Sequence, residues 1–266
     1  MQFDKQIQIQ YLGNISSWDV PIFGLIFVSI MIHTLFFCFL PSSITPMIKS
    51  YIISTFHALI GVTSVLYFFL NYSVNLKQIN RVAGGGIYGT GDEIMIYSLC
   101  YSFGYFIYDL LIMLFYKSVR TNTALMHHIL LISVLSLGIL NCVCRPCHFY
   151  LLFEELSTIA LNLKTIYYDR TNLHNTFTML FVVSFFLCRI IYGSIICGYA
   201  LRSAGLFAQM ALDIGDLKNT FFVLIQISLC VLSRILNFYW AILILRKMFR
   251  SKRSKTKHEI LNKKTL

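Results

Sequence analysis

Apolar residues in this chain come in long blocks, with polar positions gathered between them. Crossing the hydrocarbon of a bilayer as a helix takes about 20 apolar residues in succession. Seven blocks meet that length or come near it: 18–40, 51–72, 95–116, 124–143, 149–168, 174–201 and 220–245. The pattern predicts an all-α polytopic membrane protein of about seven transmembrane helices. Only a short Cys/Arg/Pro turn separates the fourth block from the fifth. The segment before Trp18 lacks the basic start of a cleaved signal peptide, so the first block is expected to be a retained helix. Nothing between the blocks is long enough to fold alone, which predicts one domain followed by a tail.

Composition narrows the class further. Hydrophobic residues make up 57% of the chain and charged residues 12%, and mean hydropathy is +0.71. A soluble domain carries about 25% charge, so a soluble globule is excluded. The formal net charge of +11 lies mostly in the tail: Arg246, Lys247, Arg250, Lys252, Arg253, Lys255, Lys257, Lys263 and Lys264 face only Glu259. Such a cluster stays in the cytosol and suits anionic lipid headgroups rather than nucleic acid. Seven spans then place the N-terminus in the lumen. Short-loop charges are close to even: Lys49, Lys117, Arg120, Lys164 and Arg170 fall on the cytosolic side, against Lys5, Lys77, Arg81, Arg145, Arg202 and Lys218 opposite. The pair Lys263–Lys264 has the form of a dilysine retrieval signal, which coat machinery reads, and predicts residence in the endoplasmic reticulum. The sequons at Asn14 and Asn71 abut spans and are expected to stay unmodified.

Ionisable groups at span depth are costly unless they face a cavity or a partner. This chain has His33, His57, Asp109, His127, His128, Glu154, Glu155, Arg189 and Arg234 there, which suggests a polar cavity inside a bundle. Glu155, Thr158 and Asn162 share one helix face, with Glu154 about 100° away. Tyr101, Tyr105, Tyr108 and Asp109 form another stripe, suited to lining a cavity or to packing between helices. His127 and His128 are adjacent, so they diverge and cannot jointly face one metal ion. Either could act as base, acid or nucleophile, or as a structural hydrogen-bonding group. Cys38, Cys100, Cys188, Cys197 and Cys230 read as small apolar side chains. Cys142, Cys144 and Cys147 cluster beside His148, where free thiols or a Cys144–Cys147 disulfide are both open; no metal site is expected. The glycine-rich stretch 84–91 lacks the ending of a phosphate loop and reads as a flexible connection.

The run Ser54-Thr55-Phe56-His57-Ala58-Leu59, then Gly104 through Leu111, then Met126-His127-His128 resembles successive signatures of the TLC-domain family. The likeness continues through Glu155-Leu156-Ser157 to Asn162, Phe185-Phe186 to Arg189-Ile190, and Asn237 to Trp240. It is most similar to the small TLC domain-containing proteins of the protein 4 type and more distantly to ceramide synthases. The resemblance implies six helices forming a barrel around a central cavity over residues 51–247. Residues 1–50 would hold an extra first helix, and 248–266 the basic tail. It implies lipid handling in the cavity, in lipid homeostasis or membrane composition, with His57, Tyr105, Asp109, Glu155, Thr158, Asn162, Arg189 and Asn237 as cavity residues. If the protein is an enzyme, His127 and His128 would be catalytic in acyl transfer, with acyl-CoA as substrate and no resident cofactor. Ceramide synthases place two aspartates where Glu154 and Ser157 stand here, which counts against ceramide synthesis itself. A third expectation, from the dilysine pair, is a cargo or trafficking receptor.

Overall fold

The computed structural model describes residues 21–72, 92–141 and 144–264. The glycine-rich stretch, Asn14 and Cys142 lie outside them, as do the side chains beyond residue 249 and so the dilysine pair. Among the described residues every regular element is helical. They are α1 (Pro21–Phe39), α2 (Pro46–Asn71), α3 (Asp92–Phe115), α4 (Asn122–Asn141) and α5 (Arg145–Leu151). A 3₁₀ turn (Leu152–Glu155) leads into α6 (Leu156–Ile166), and α7 (Thr171–Ser184) runs through a π-helical stretch (Phe185–Tyr192) into α8 (Gly193–Asp213). The last helix, α9, covers Leu217–Lys264.

Local chemistry sets the boundaries. Thr45 caps α2 with its hydroxyl accepting from the Ile48 amide, and Pro46 occupies the first turn, where no amide partner is needed. Gly215 takes a left-handed φ of 79° to end α8. Asp216 then opens α9 by accepting from the Asn219 amide at 3.0 Å. Side chains close two other ends: Arg145 donates to the Ile139 carbonyl of α4, and His174 contacts the Lys164 carbonyl of α6 at 2.9 Å.

Among the described residues six continuous helical runs are long and apolar enough to cross a membrane. The first four and the last agree with the sequence-predicted spans to within a few residues. The predicted span 174–201 is part of a longer run, Thr171–Asp213, carried through the π-helical stretch. The predicted span 149–168 differs most: its residues fall in α5, the 3₁₀ turn and α6, none of which alone is long enough. The residues at the joints, Leu151, Leu152, Glu155 and Leu156, all keep right-handed helical dihedrals. The three pieces together therefore extend about 35 Å, enough for the hydrocarbon core.

This broken helix is the centre of the molecule. No residue from 145 to 166 is exposed, whereas the outer helices present side chains such as Phe27 (62% exposed) and Leu70 (84%) outward, as lipid-facing helices do. Packing follows a ring: α2 lies against α3, α3 against α4, α4 against α9, α9 against the π-helical stretch, α7 against α6, and α6 against α2. Helix α5 sits between α3, α4 and α8, while α6 has moved out to the wall between α2 and α7. The diagonal path fills one end of the ring and leaves the other hollow. Helix α1 stands outside, packed on α3.

That outer contact depends on Gly104. A Cβ there would fall 2.5 Å from Ser29 Cβ and 2.7 Å from the Ile26 carbonyl oxygen, a backbone atom that cannot swing away. Gly104→Ala is expected to cost about 1–3 kcal/mol through overpacking, seen as a lowered thermal midpoint of the detergent-purified protein. Gly198→Ala, with nothing within 4 Å of the added carbon, should leave the midpoint near the parent's. Equal midpoints for the two variants would refute close α1–α3 packing.

Candidate functional site

The hollow end of the ring is a cavity of about 380 Å³. It opens beside the α3–α4 turn, where Val119 and Thr121 line it and Lys117 and Arg120 are exposed at the rim. Met113, Phe181, Trp240, Leu243 and Ile244 make much of the wall apolar, and the polar groups gather deeper in.

The 3₁₀ turn places two consecutive glutamates there. With three residues per turn, neighbours point about 120° apart, so each carboxylate meets a different helix. Glu155 accepts from Arg189 at 3.1 Å. The same guanidinium donates to Thr158 Oγ1 at 3.0 Å and to Ser157 Oγ at 2.8 Å. Glu154 turns away and pairs with Arg234 of α9 at 2.6 Å, with Asn237 donating to its second oxygen at 3.2 Å. Arg234 also donates to the Arg189 carbonyl at 3.0 Å, joining the two pairs into one network across three helices. Gly193 makes room for it, since a Cβ there would overlap the Glu154 carboxylate and the Arg234 guanidinium. Arg189 itself lies within the π-helical stretch, a local widening found often at functional sites.

A separate polar chain lies on the α2–α3–α4 wall. Ser50 donates to Asp109 Oδ1 at 3.0 Å, and the other carboxylate oxygen is 3.4 Å from His128 Nε2. In the neutral ring, the tautomer with hydrogen on Nε2 faces this carboxylate and leaves a lone pair on Nδ1. That Nδ1 is buried with no partner among the described residues. The same holds for the Asn162 amide nitrogen, and both residues line the cavity. His127 turns the other way, edge-on to Trp240 at 5.2 Å between centroids. Two residues of the cavity lining thus each keep a buried polar atom without a protein partner among the described residues, while each of the two glutamates faces an arginine.

Of the residues singled out in the sequence, Tyr105, Asp109, His127, His128, Glu155, Thr158, Asn162 and Arg189 share this cavity. His57 does not line it: the fully buried ring stacks behind Tyr105 at 3.8 Å between centroids. Asn237 lies on the far side of the glutamates, bonded to Glu154. Ser50 and Trp240 went unassigned in the sequence although helical spacing from Ser54 and Asn237 leads to them. Nor was a role given to His33. Its Nδ1 is 2.7 Å from the Ser29 carbonyl and its Nε2 3.1 Å from the Tyr101 hydroxyl, a polar tie between α1 and α3. Cys144 and Cys147 are free thiols, both buried.

The TLC-domain family model matches residues 47–246, well over half of the chain. No curated protein matches the sequence.

The glutamate–arginine network has a testable energetic signature. Arg189→Met leaves Glu155 buried and unpaired and is expected to cost about 3–5 kcal/mol. Combining it with Glu155→Leu removes both charges and should restore most of that loss. Thermal unfolding of the singles and the double closes the cycle; losses that simply add would show that the two side chains do not act as a pair.

Proposed function

The chain belongs to the TLC-domain family, and on that premise we propose that it handles a lipid in the ring cavity, serving lipid homeostasis or membrane composition. The observation that carries this reading is the division of labour in the cavity wall. The apolar residues toward the mouth suit an acyl chain. Deeper in, His128 Nδ1 and the Asn162 amide nitrogen have no partner among the described residues and suit a head group that both donates and accepts hydrogen bonds. The volume of about 380 Å³ lies within the range of about 300–1,000 Å³ of small-molecule sites. The cavity mouth shares its end of the bundle with Lys49, Lys117, Arg120 and Lys164. With the basic segment after Arg246, this favours a mouth facing the cytosol. The proposed membrane is that of the endoplasmic reticulum.

A second reading is favoured by the Ser50–Asp109–His128 chain, which has the parts of an acyl-transfer site. His128 Nδ1 would take the proton of an acceptor amine or hydroxyl as that group attacks an acyl-CoA thioester. The carbon–sulfur bond would then break, and the thiolate would leave with the proton from the imidazolium. Asp109 would hold the ring and stabilise its charge, and Lys117 and Arg120 at the rim would meet the CoA phosphates.

Native mass spectrometry of the detergent-purified protein separates the readings. Lipid binding predicts a co-purifying lipid whose occupancy falls by about tenfold or more in Leu161→Trp, a loss near 1.4 kcal/mol of affinity, because the indole fills the cavity. Protein without bound lipid would count against the first reading. Incubation with long-chain acyl-CoA and candidate acceptors tests the second. Turnover that drops about 10²–10⁴-fold in His128→Ala would make the protein an acyltransferase.

A further inference from the structure

Behind the glutamate pair lies a second, smaller cavity of about 60 Å³, room for about two water-sized molecules. Cys197 of α8 and Cys230 of α9 meet on its wall with their sulfurs 3.1 Å apart. The Cys147 thiol of α5 is hydrogen-bonded with Cys197 as well. His148 lines the same space, and its Nε2 is buried without a partner among the described residues. In the sequence Cys197 and Cys230 are isolated small side chains in apolar helices; helix packing alone brings them together.

We propose that Cys197 and Cys230 are an oxidisable dithiol, a modification site whose co-reactant is hydrogen peroxide. Three features point there. A disulfide needs sulfurs about 2.05 Å apart, so the observed gap must close by only about 1 Å. Helices α8 and α9 pack along each other, and one helical turn from the two cysteines Gly193 of α8 faces the Arg234 guanidinium of α9. The cavity admits hydrogen peroxide and is too small for a lipid hydroperoxide. His148 lines the same cavity as both thiols, and the thiolate is the form that attacks peroxide. One sulfur displaces water from the peroxide and becomes a sulfenic acid. The second thiol condenses with it, releasing another water and forming the sulfur–sulfur bond. Overall, two thiols and one hydrogen peroxide give one disulfide and two waters. The link would tie α8 to α9 beside the Glu154–Arg234 pair, whether or not the larger cavity holds a lipid.

The test uses the full chain in detergent, fully reduced, then exposed to hydrogen peroxide, denatured and alkylated. Peptide mapping is expected to show a Cys197–Cys230 cross-link that dithiothreitol reverses, the linked peptides being lighter by two hydrogen atoms than the two thiol peptides together. Cys38, which is exposed, reports that peroxide was active. Oxidised Cys38 beside Cys197 and Cys230 that both remain free for alkylation would overturn the proposal. So would a cross-link of Cys197 to Cys147. A Cys147→Ala variant should keep the cross-link, and the parent protein decides the matter even if that variant fails to fold.

Discussion

Two adjacent carboxylates at the centre of a membrane bundle impose the constraint on which the rest of the structure depends. A carboxylate in hydrocarbon needs a cation, hydrogen-bond donors and exclusion from lipid. Glu154 and Glu155 obtain all three. Because they are consecutive they cannot share a partner, and so they recruit arginines from two different helices. The carrier helix must then be surrounded on all sides, which is why residues 145–166 lie at the middle of the ring. It also explains Gly193, where a larger residue would displace the ion pair. The 3₁₀ turn separates the two carboxylates in direction and sits where the helix passes from the centre of the ring to its wall.

This arrangement separates polar groups that hold the bundle from polar groups left over. Arg189 lines the cavity, yet its donors go to Glu155, Ser157 and Thr158. A buried ion pair of this kind adds little net stability compared with a well-packed apolar pair, but it strongly resists losing one member. Its role is to specify which helices meet and in what register. Asp109 belongs to a different set: one oxygen takes a serine hydroxyl and the other faces an imidazole that still has an unused nitrogen.

The sequence made the outer helices legible because apolar runs are a local property, and a helix facing lipid on one side must be apolar over its whole length. Residues 149–168 have the length of a span in the sequence, but among the described residues no single helix there is long enough to be one. Their division into three pieces was not legible, because a buried helix answers to its neighbours rather than to lipid. The face shared by Glu155, Thr158 and Asn162 was correct from spacing alone, and all three line the cavity. His57 shows the limit of that method. Its place in a signature stretch suggested the cavity wall, but the Tyr105 ring fills the space in front of it. Partner choice was likewise beyond reach: helical spacing does not say which carboxylate Arg189 meets, and only the packed ring gives it to Glu155. The meeting of Cys197 and Cys230 belongs to the same category, since they sit 33 residues apart on different helices.

The separation of the ionic partners along the chain also has a consequence for biosynthesis. Glu155 is made 34 residues before Arg189, so at about 5–20 residues per second it waits some seconds for its counter-charge. Glu154 waits longer still, until Arg234 of α9 emerges. During that interval the central helix cannot rest in lipid with two bare carboxylates. It must stay in the insertion machinery, sit at the membrane surface, or keep its acids protonated. The helix that carries Arg234 is therefore the one that lets the middle of the protein settle.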